Sequence, residues 1–516
     1  MPKLRSLKAA VSFCLLLALL ALPSLAFADG GGGHHEHEAS VMAGPLSWGF
    51  LTFGAVVILA VFFVLLTGQR AARLTAADFD RLTGLGGYLA KMRLFSRNAR
   101  LYMVHVVGMD VIYGTWMVMF NLYLLAVGFD VAFVGLRILL ASIASAIASV
   151  PAGIISDRIG RKLSFILGDG VGAAMSLIAI STHDPTLLLV TAVVGGAFGA
   201  LHGVAEPAFM AENSENYERV HLFSVSDGTR TAAAIIGSAL AGLTPLLFVS
   251  ADASAKVGLY RAVAYIGIGG WFASLIPAIL LRQTAQPKSP REASNNQSLF
   301  KQLFGNVKHP DRVWRLTAPE VLVGFGAGFA LPLMNVFFKQ NLGSPEVEIG
   351  ATFAAGQAFL VVGSFLAPFF AARLGKVKSI TFTRLLSVPF ILLIAFSPDV
   401  GTAFGSVLTV AGLAYIARIT LMNMASPVRS AFGMEILDPA ERGTQVGIQL
   451  ALSSALAGAA SYFGARLMDA GDFRTPFFIM AGCYLAATAL FWQFFAGREK
   501  QLAPVVPAEA GSAAGD

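Results

Sequence analysis

Apolar stretches of about 20 residues are long enough to carry an α-helix across the hydrocarbon core of a bilayer. They recur along this 516-residue chain, over 46–67, 101–127, 131–154, 163–182, 186–210, 221–249, 259–281, 316–339, 347–372, 379–396, 401–426, 444–467 and 474–496. Backbone groups inside lipid must satisfy one another, so such segments can only be helices packed side by side. Composition agrees: 56% of residues are hydrophobic and 13% charged, against about 25% charged in a soluble domain. The 53 glycines suit close helix contact in lipid. The expected fold is an all-α polytopic membrane protein with the lipid bilayer as its solvent.

The N-terminus reads as an export signal. Residues 1–28 begin with Lys3, Arg5 and Lys8, continue through an apolar run and end in Ala26-Phe27-Ala28. That is the pattern of a cleavable signal peptide. Segment 29–45 is then exported. It is Gly-rich and holds His34, His35 and His37 beside Glu36 and Glu38. These types collect Zn, Cu or Ni, although in so Gly-rich a chain they serve equally as a polar spacer. Removing the signal removes Cys14 and leaves Cys483 without a partner, so no disulfide or Cys metal site is expected.

An exported Asp29 makes 46–67 an extra transmembrane helix running inward, and the sides alternate after it. Lys and Arg test this independently, because they accumulate in cytoplasmic loops. The segments assigned to the cytoplasm hold 7, 3, 1, 7, 3, 1 and 2 of them in chain order; the opposite side holds Lys256, Lys339 and Arg474. The net charge of +7 therefore reflects topology and gives no support for nucleic-acid binding. The mature N-terminus is expected in the periplasm and the C-terminus in the cytoplasm, across a bacterial inner membrane.

The body repeats itself. Leu-Ala-Val-Gly128 matches Gln-Asn-Leu-Gly343 at an offset of 215 residues, and Arg158-Ile-Gly160-Arg161 matches Arg373-Leu-Gly375-Lys376 at the same offset. Glu212-x-x-Glu215-x-x-Glu218-Arg219 matches Glu435-x-x-Asp438-x-x-Glu441-Arg442 at an offset of 223. Two six-helix units follow, over 101–281 and 316–497. A basic linker at 68–100 precedes them, a polar linker at 282–315 joins them, and a tail at 498–516 follows. Repeated halves about a central axis are how many secondary transporters build a midplane site.

Gly153-Ile-Ile-Ser-Asp157-Arg158-Ile-Gly160-Arg161-Lys162 closely resembles the signature loop of the major facilitator superfamily. It stands where that family places it, after the second core helix. The resemblance covers the architecture of residues 95–497, with the signal, the His-rich stretch and helix 46–67 outside it. It implies two pseudo-symmetric six-helix bundles and a monomer. It also implies that Gly153, Asp157, Arg158, Gly160, Arg161 and Lys162 form a latch that holds the bundles in one state and releases them in the other. Independently, Gly160 suits a tight turn and Asp157 a helix end. The second copy has Ala372 in place of Asp157, which implies a weaker latch.

The resemblance also implies that the first, fourth, seventh and tenth core helices line the central cavity. Ionisable residues inside spans are costly and therefore candidate functional groups. These four spans hold His105 and Asp110, then His202 and Glu206, then Glu320, then Arg418. Asp110, Tyr113, Met117 and Asn121 share a helix face, and His202 and Glu206 stand one turn apart. His105 lies about 140° from Asp110 around the helix, so the two cannot face the cavity equally. His105 and Glu320 occupy the same repeat position, which suggests a His–Glu pair across the pseudo-twofold axis. Asn335 is a neutral candidate for a substrate hydrogen bond, and Asp169 a group that supports packing or the loop.

No phosphate loop, nucleophile elbow or HExxH motif occurs, so neither an enzyme nor a cofactor is expected. The expected function is secondary active transport of a small molecule by alternating access, with protons as candidate coupling ions. Two alternatives share the architecture: a metal or metal-chelate transporter fed by the His-rich segment, and a transporter-like sensor or scaffold that binds a ligand without moving it.

Overall fold

The computed structural model describes residues 49–52, 54, 55, 58, 84–243, 253–282, 308–404 and 406–498. The expected signal peptide, the segment bearing His34, His35 and His37, most of the central linker and nearly all of the tail lie outside the described residues.

Twelve long helices make up the body. The first half contains α1 (Arg97–Ala126), α2 (Val131–Ile159), α3 (Arg161–Ser181), α4 (Pro185–Glu212), α5 (Asn216–Leu243) and α6 (Ala253–Ile279). The second contains α7 (Pro310–Ala330), α8 (Glu346–Leu374), α9 (Lys376–Ala395), α10 (Val407–Ile436), α11 (Pro439–Asp469) and α12 (Thr475–Phe495). There is no strand among the described residues. Among the described residues, eleven helices are long and apolar enough to cross a membrane. The exception, α5, carries Glu218, Arg219, His221 and Asp227 in its first half and Arg230 just past its midpoint.

Local chemistry sets the helix boundaries. Ser96, Asp130, Asp184 and Ser406 cap α1, α2, α4 and α10, each accepting a backbone N–H three residues on. A single residue joins α2 to α3 and α8 to α9. Those residues are Gly160 at φ +88° and Gly375 at φ +86°, where a side chain would be strained.

Within the first half α1 packs on α5 and α6, α2 on α4, and α3 on α4 and α6. The second half repeats this: α7 packs on α11 and α12, α8 on α10, and α9 on α10 and α12. The halves meet along α2–α11 and α5–α8.

The bonds that join the halves gather away from the basic 153–162 loop, at what is here called the far side. Val131 N donates to Asp469 Oδ1 (3.1 Å), and the Tyr260 hydroxyl to Glu346 Oε1 (2.9 Å). Beyond Ala330 the seventh span loses regular α geometry at Leu331–Leu333, and Asn121 bridges to it. Its Nδ2 reaches Pro332 O (2.8 Å) and Asn335 Oδ1 (3.0 Å), while Asn335 Nδ2 donates to Val118 O (3.0 Å). Glycines let the backbones touch there: a Cβ added at Gly350 would stand 2.5 Å from the Cα of Gly242. None of these bonds between the halves lies towards the basic loop, and the interior holds space around Tyr113. Tyr113 is 56% exposed, although it sits beside Asp110 and Arg230.

Two elements lie outside the twelve-helix body. The expected linker 68–100 contains a helix at Gly84–Arg93. Met92 and Phe95 are buried in one apolar cluster with Tyr102 and Phe209. Of the extra helix expected at 46–67, the described residues are helical. Phe50, Gly54 and Ile58 share one face and pack on α5, with Phe50 also reaching Ala354 and Ala358 of α8.

Gly350→Leu is expected to wedge α5 from α8 and open the far side. Spin labels on the loops at either end would show a longer far-side distance; unchanged distances would refute the contact as a closing element.

Candidate functional site

Helix α1 carries two ionisable groups on different faces, as five residues at about 100° each require. His105 turns towards α3 and α6, and Asp110 towards α5. Arg230 of α5 binds the carboxylates of two other helices at once. Its Nε donates to Asp110 Oδ2 (3.0 Å), and its Nη1 to both oxygens of Glu206 on α4 (2.7 and 2.6 Å). A planar guanidinium suits such shared recognition better than an ammonium. Asp110 is buried, whereas the Arg230 side chain is 29% exposed, so this group stands at the wall of the interior space around Tyr113.

Behind it lies a second cluster. His105 Nε2 and His202 Nδ1 both meet Asp169 Oδ2, at 2.9 and 2.8 Å. The outer nitrogens are engaged too: His105 Nδ1 on Ser274 O (2.8 Å) and His202 Nε2 on the Tyr102 hydroxyl (3.2 Å). Tyr102, Phe165 and Phe209 wall the cluster. These spacings are those of hydrogen bonds. Two ligands of a tetrahedral zinc ion would stand about 3.3 Å apart at ordinary Zn–N and Zn–O lengths. Asp169, expected to support packing or the loop, is thus the hub of the cluster. His202 Nε2 also lies 3.8 Å from Glu206 Oε2, linking the two clusters along α4.

The second half answers with different chemistry. Glu320 of α7 is held by Arg384 of α9 and, at 3.2 Å, by Arg429 of α10. The suggested pair between His105 and Glu320 does not form, because each finds its partners inside its own half. The repeat explains the placement. Asp169 and Arg384 are related by the 215-residue offset, like His105 and Glu320; Glu206 and Arg429 are related by the 223-residue offset. His105 with Asp169 and Glu320 with Arg384 thus tie the first and third helices of each half at matching positions, while the fourth helix joins through His202 in the first half and through Arg429 in the second. Arg418 is buried and donates to the Tyr484 hydroxyl of α12. Asn121 and Asn335 bond to each other on the far side.

The signature loop is an ionic corner. Arg161 reaches Asp157 Oδ1 (2.8 Å), Ser156 Oγ (2.8 Å) and, from α4, Glu212 Oε1 (3.0 Å). The repeat places Lys376 on Glu435 in the same way. These bonds stay inside their own halves.

Sequence reasoning passed over Arg230, Arg384 and Arg429. Arg230 and Arg384 lie inside the spans 221–249 and 379–396, where a charge was itself a signal. Both stand on helices outside the four that the resemblance assigns to the cavity.

Residues 101–461 match the family model of the Major Facilitator Superfamily, and the chain belongs to that family. Solved structures agree on the fold. A mutant form of the nucleoside transporter NupG superposes with a TM-score of 0.63 at 16% identity, covering 78% of this chain and 100% of that one. The xylose transporter XylE from E. coli, described as inward open, gives 0.59 at 15% identity, covering 78% and 96%. A bacterial homologue of the human lysosomal transporter Spinster, described as inward-facing and unoccupied, gives 0.55 at 14% identity, covering 77% and 95%. No curated protein is a significant match. The chain is a polytopic membrane transporter and not an enzyme.

Removing one partner of a buried ion pair costs about 3–5 kcal/mol. Glu320→Gln, which strands Arg384 and Arg429, is therefore expected to lower stability by that order, and Glu320→Gln/Arg384→Met to recover part of it. Thermal unfolding in detergent reads both. Arg230→Lys is expected to destabilise as well, because an ammonium cannot reproduce the fork across two carboxylates.

Proposed function

We propose that this chain moves a small molecule across a bacterial inner membrane by alternating access, coupled to protons taken up at Asp110 and Glu206. The observation that carries the proposal is Arg230, shared between those two carboxylates at the wall of the interior space around Tyr113. Positive loops belong in the cytoplasm, so the side away from the bonds that join the halves is cytoplasmic and the state inward-facing. In this state the signature loop is bonded within its own half, which fits a released latch.

Two carboxylates share one cation, so the group carries a net negative charge and one of them can take a proton. Protonating Asp110 weakens its charge-assisted bond to Arg230 and leaves the guanidinium to Glu206. The contact between α1 and α5 then loosens while that between α4 and α5 tightens. Such a shift biases how the halves rock about the central cavity, which is the work a coupling ion must do. Tyr113 beside this group and Gln357 of α8, whose Nε2 lies 3.8 Å from Met117 Sδ, supply polar contacts for a substrate. The neighbours named for nucleosides and xylose suggest a first panel of hydroxyl-rich compounds.

Proteoliposomes holding the protein and an internal pH dye test this, with nucleosides, D-xylose and other pentoses added under an imposed pH gradient. Proton movement that depends on a compound and is lost in Asp110→Asn is the expected result. Transport of a panel member without proton movement would refute the coupling; binding of a member without flux would refute transport.

A further inference from the structure

The buried trio His105, Asp169 and His202 plays no part in the transport cycle described above, yet its partners fix how many protons it holds. Ser274 O can only accept, so His105 Nδ1 carries a hydrogen. His105 Nε2 and His202 Nδ1 then face one carboxylate oxygen, Asp169 Oδ2, at 2.9 and 2.8 Å. With both rings neutral and Asp169 ionised, His105 Nε2 would aim a lone pair at a carboxylate lone pair. His105, Asp169 and His202 are 0%, 2% and 5% exposed, so water does not relieve that clash. One further proton does. On His105 Nε2 it makes an imidazolium beside a carboxylate; on Oδ2 it makes a carboxylic acid beside two neutral rings. Both arrangements are electrically neutral, which is what a buried site requires.

We propose that His105, Asp169 and His202 form a buried binding site for one exchangeable proton, reached from the cavity through Glu206. The charged and titratable groups around it are Tyr102 and Asp110 of α1, Glu206 of α4, and Arg230 with Asp227 further out on α5; α6 contributes the Ser274 carbonyl. His202 is the connection, with Nε2 at 3.2 Å from the Tyr102 hydroxyl and 3.8 Å from Glu206 Oε2. A proton leaving the Glu206 carboxylic acid for His202 Nε2 makes that ring the imidazolium and leaves Glu206 a carboxylate. Passing the Nδ1 proton across Asp169 Oδ2 to His105 Nε2 makes the other ring the imidazolium, and a tautomer exchange that returns the His202 hydrogen from Nε2 to Nδ1 then gives Asp169 Oδ2 an N–H from each ring. The matching cluster of the second half, Glu320 with Arg384 and Arg429, has arginines in place of Asp169 and Glu206. Arginine does not give up its proton in proteins, so this proton store belongs to the first half alone.

The use of the site in transport rests on the proton-coupled proposal above; its existence does not. The test is nitrogen NMR of the full chain in nanodiscs with ¹⁵N-labelled histidine rings, assigned with His105→Gln and His202→Gln. At pH 7, His105 or His202 is expected to show a bonded hydrogen on both ring nitrogens. Asp169→Asn should abolish that signature, and Glu206→Gln should keep it while slowing its exchange with solvent hydrogen. If Asp169→Asn does not fold, the one-bond N–H couplings of the unsubstituted protein, read together with the ¹³C shift of a labelled Asp169 carboxyl, decide the matter. Two results would overturn the proposal: both rings carrying a single hydrogen while Asp169 is ionised, or one zinc ion per chain that disappears in His105→Gln. A ring signature without compound-dependent proton movement in liposomes would sink the coupling and leave this site standing. Coupled movement without the signature would do the reverse.

Discussion

An ionisable side chain inside a membrane must find its counter-charge within the protein, because the bilayer offers none. Most of what is specific in this structure follows from that constraint. Asp110 and Glu206 converge on Arg230, Asp169 draws in two histidines, and Glu320 gathers two arginines. Each set ties helices that the apolar packing alone would let slide. Cost runs the same way as structure: a lost partner leaves a desolvated charge, so each set is held together more firmly than its count of bonds suggests.

The two halves obey one geometry and differ in charge. Where the first half has Asp169 and Glu206, the second has Arg384 and Arg429; where the first has His105, the second has Glu320. The change of residue type keeps the tie between the first and third helices and alters its chemistry, while Glu206, unlike Arg429, turns to an arginine of the fifth helix. The first half is rich in groups that can exchange a proton, and the second is held by arginines that keep theirs. Division of labour between repeats thus needs no change of fold, only of residue type at equivalent positions.

The halves are also closed unequally. On the far side, Gly242 meets Gly350, Asn121 bridges to Asn335, and Val131 is tied to Asp469. On the basic-loop side, Arg161 and Lys376 bond within their own halves. The extra helix adds a constraint that the twelve-helix body lacks. Through Phe50 it touches both α5 and α8, a seam along which the halves meet.

Much was legible in the sequence alone. Span length gave the helices because a bilayer has a fixed thickness, the repeat offsets gave two equivalent halves, and the 153–162 motif gave the family. Helical spacing correctly turned His105 and Asp110 to different faces. It could not give partners. His105 and Asp169 are 64 residues apart and Asp110 and Arg230 are 120, and each pair depends on which helix lies beside which and at what height. The tertiary structure decided that Arg230, on a helix not expected to line the cavity, joins Asp110 and Glu206. It decided that His105 bonds to Asp169 and not to Glu320, and that Asn121 and Asn335 meet each other. Period and spacing act along one helix, whereas the pairing of buried charges is settled between helices, by packing and by the need to leave no charge alone in lipid.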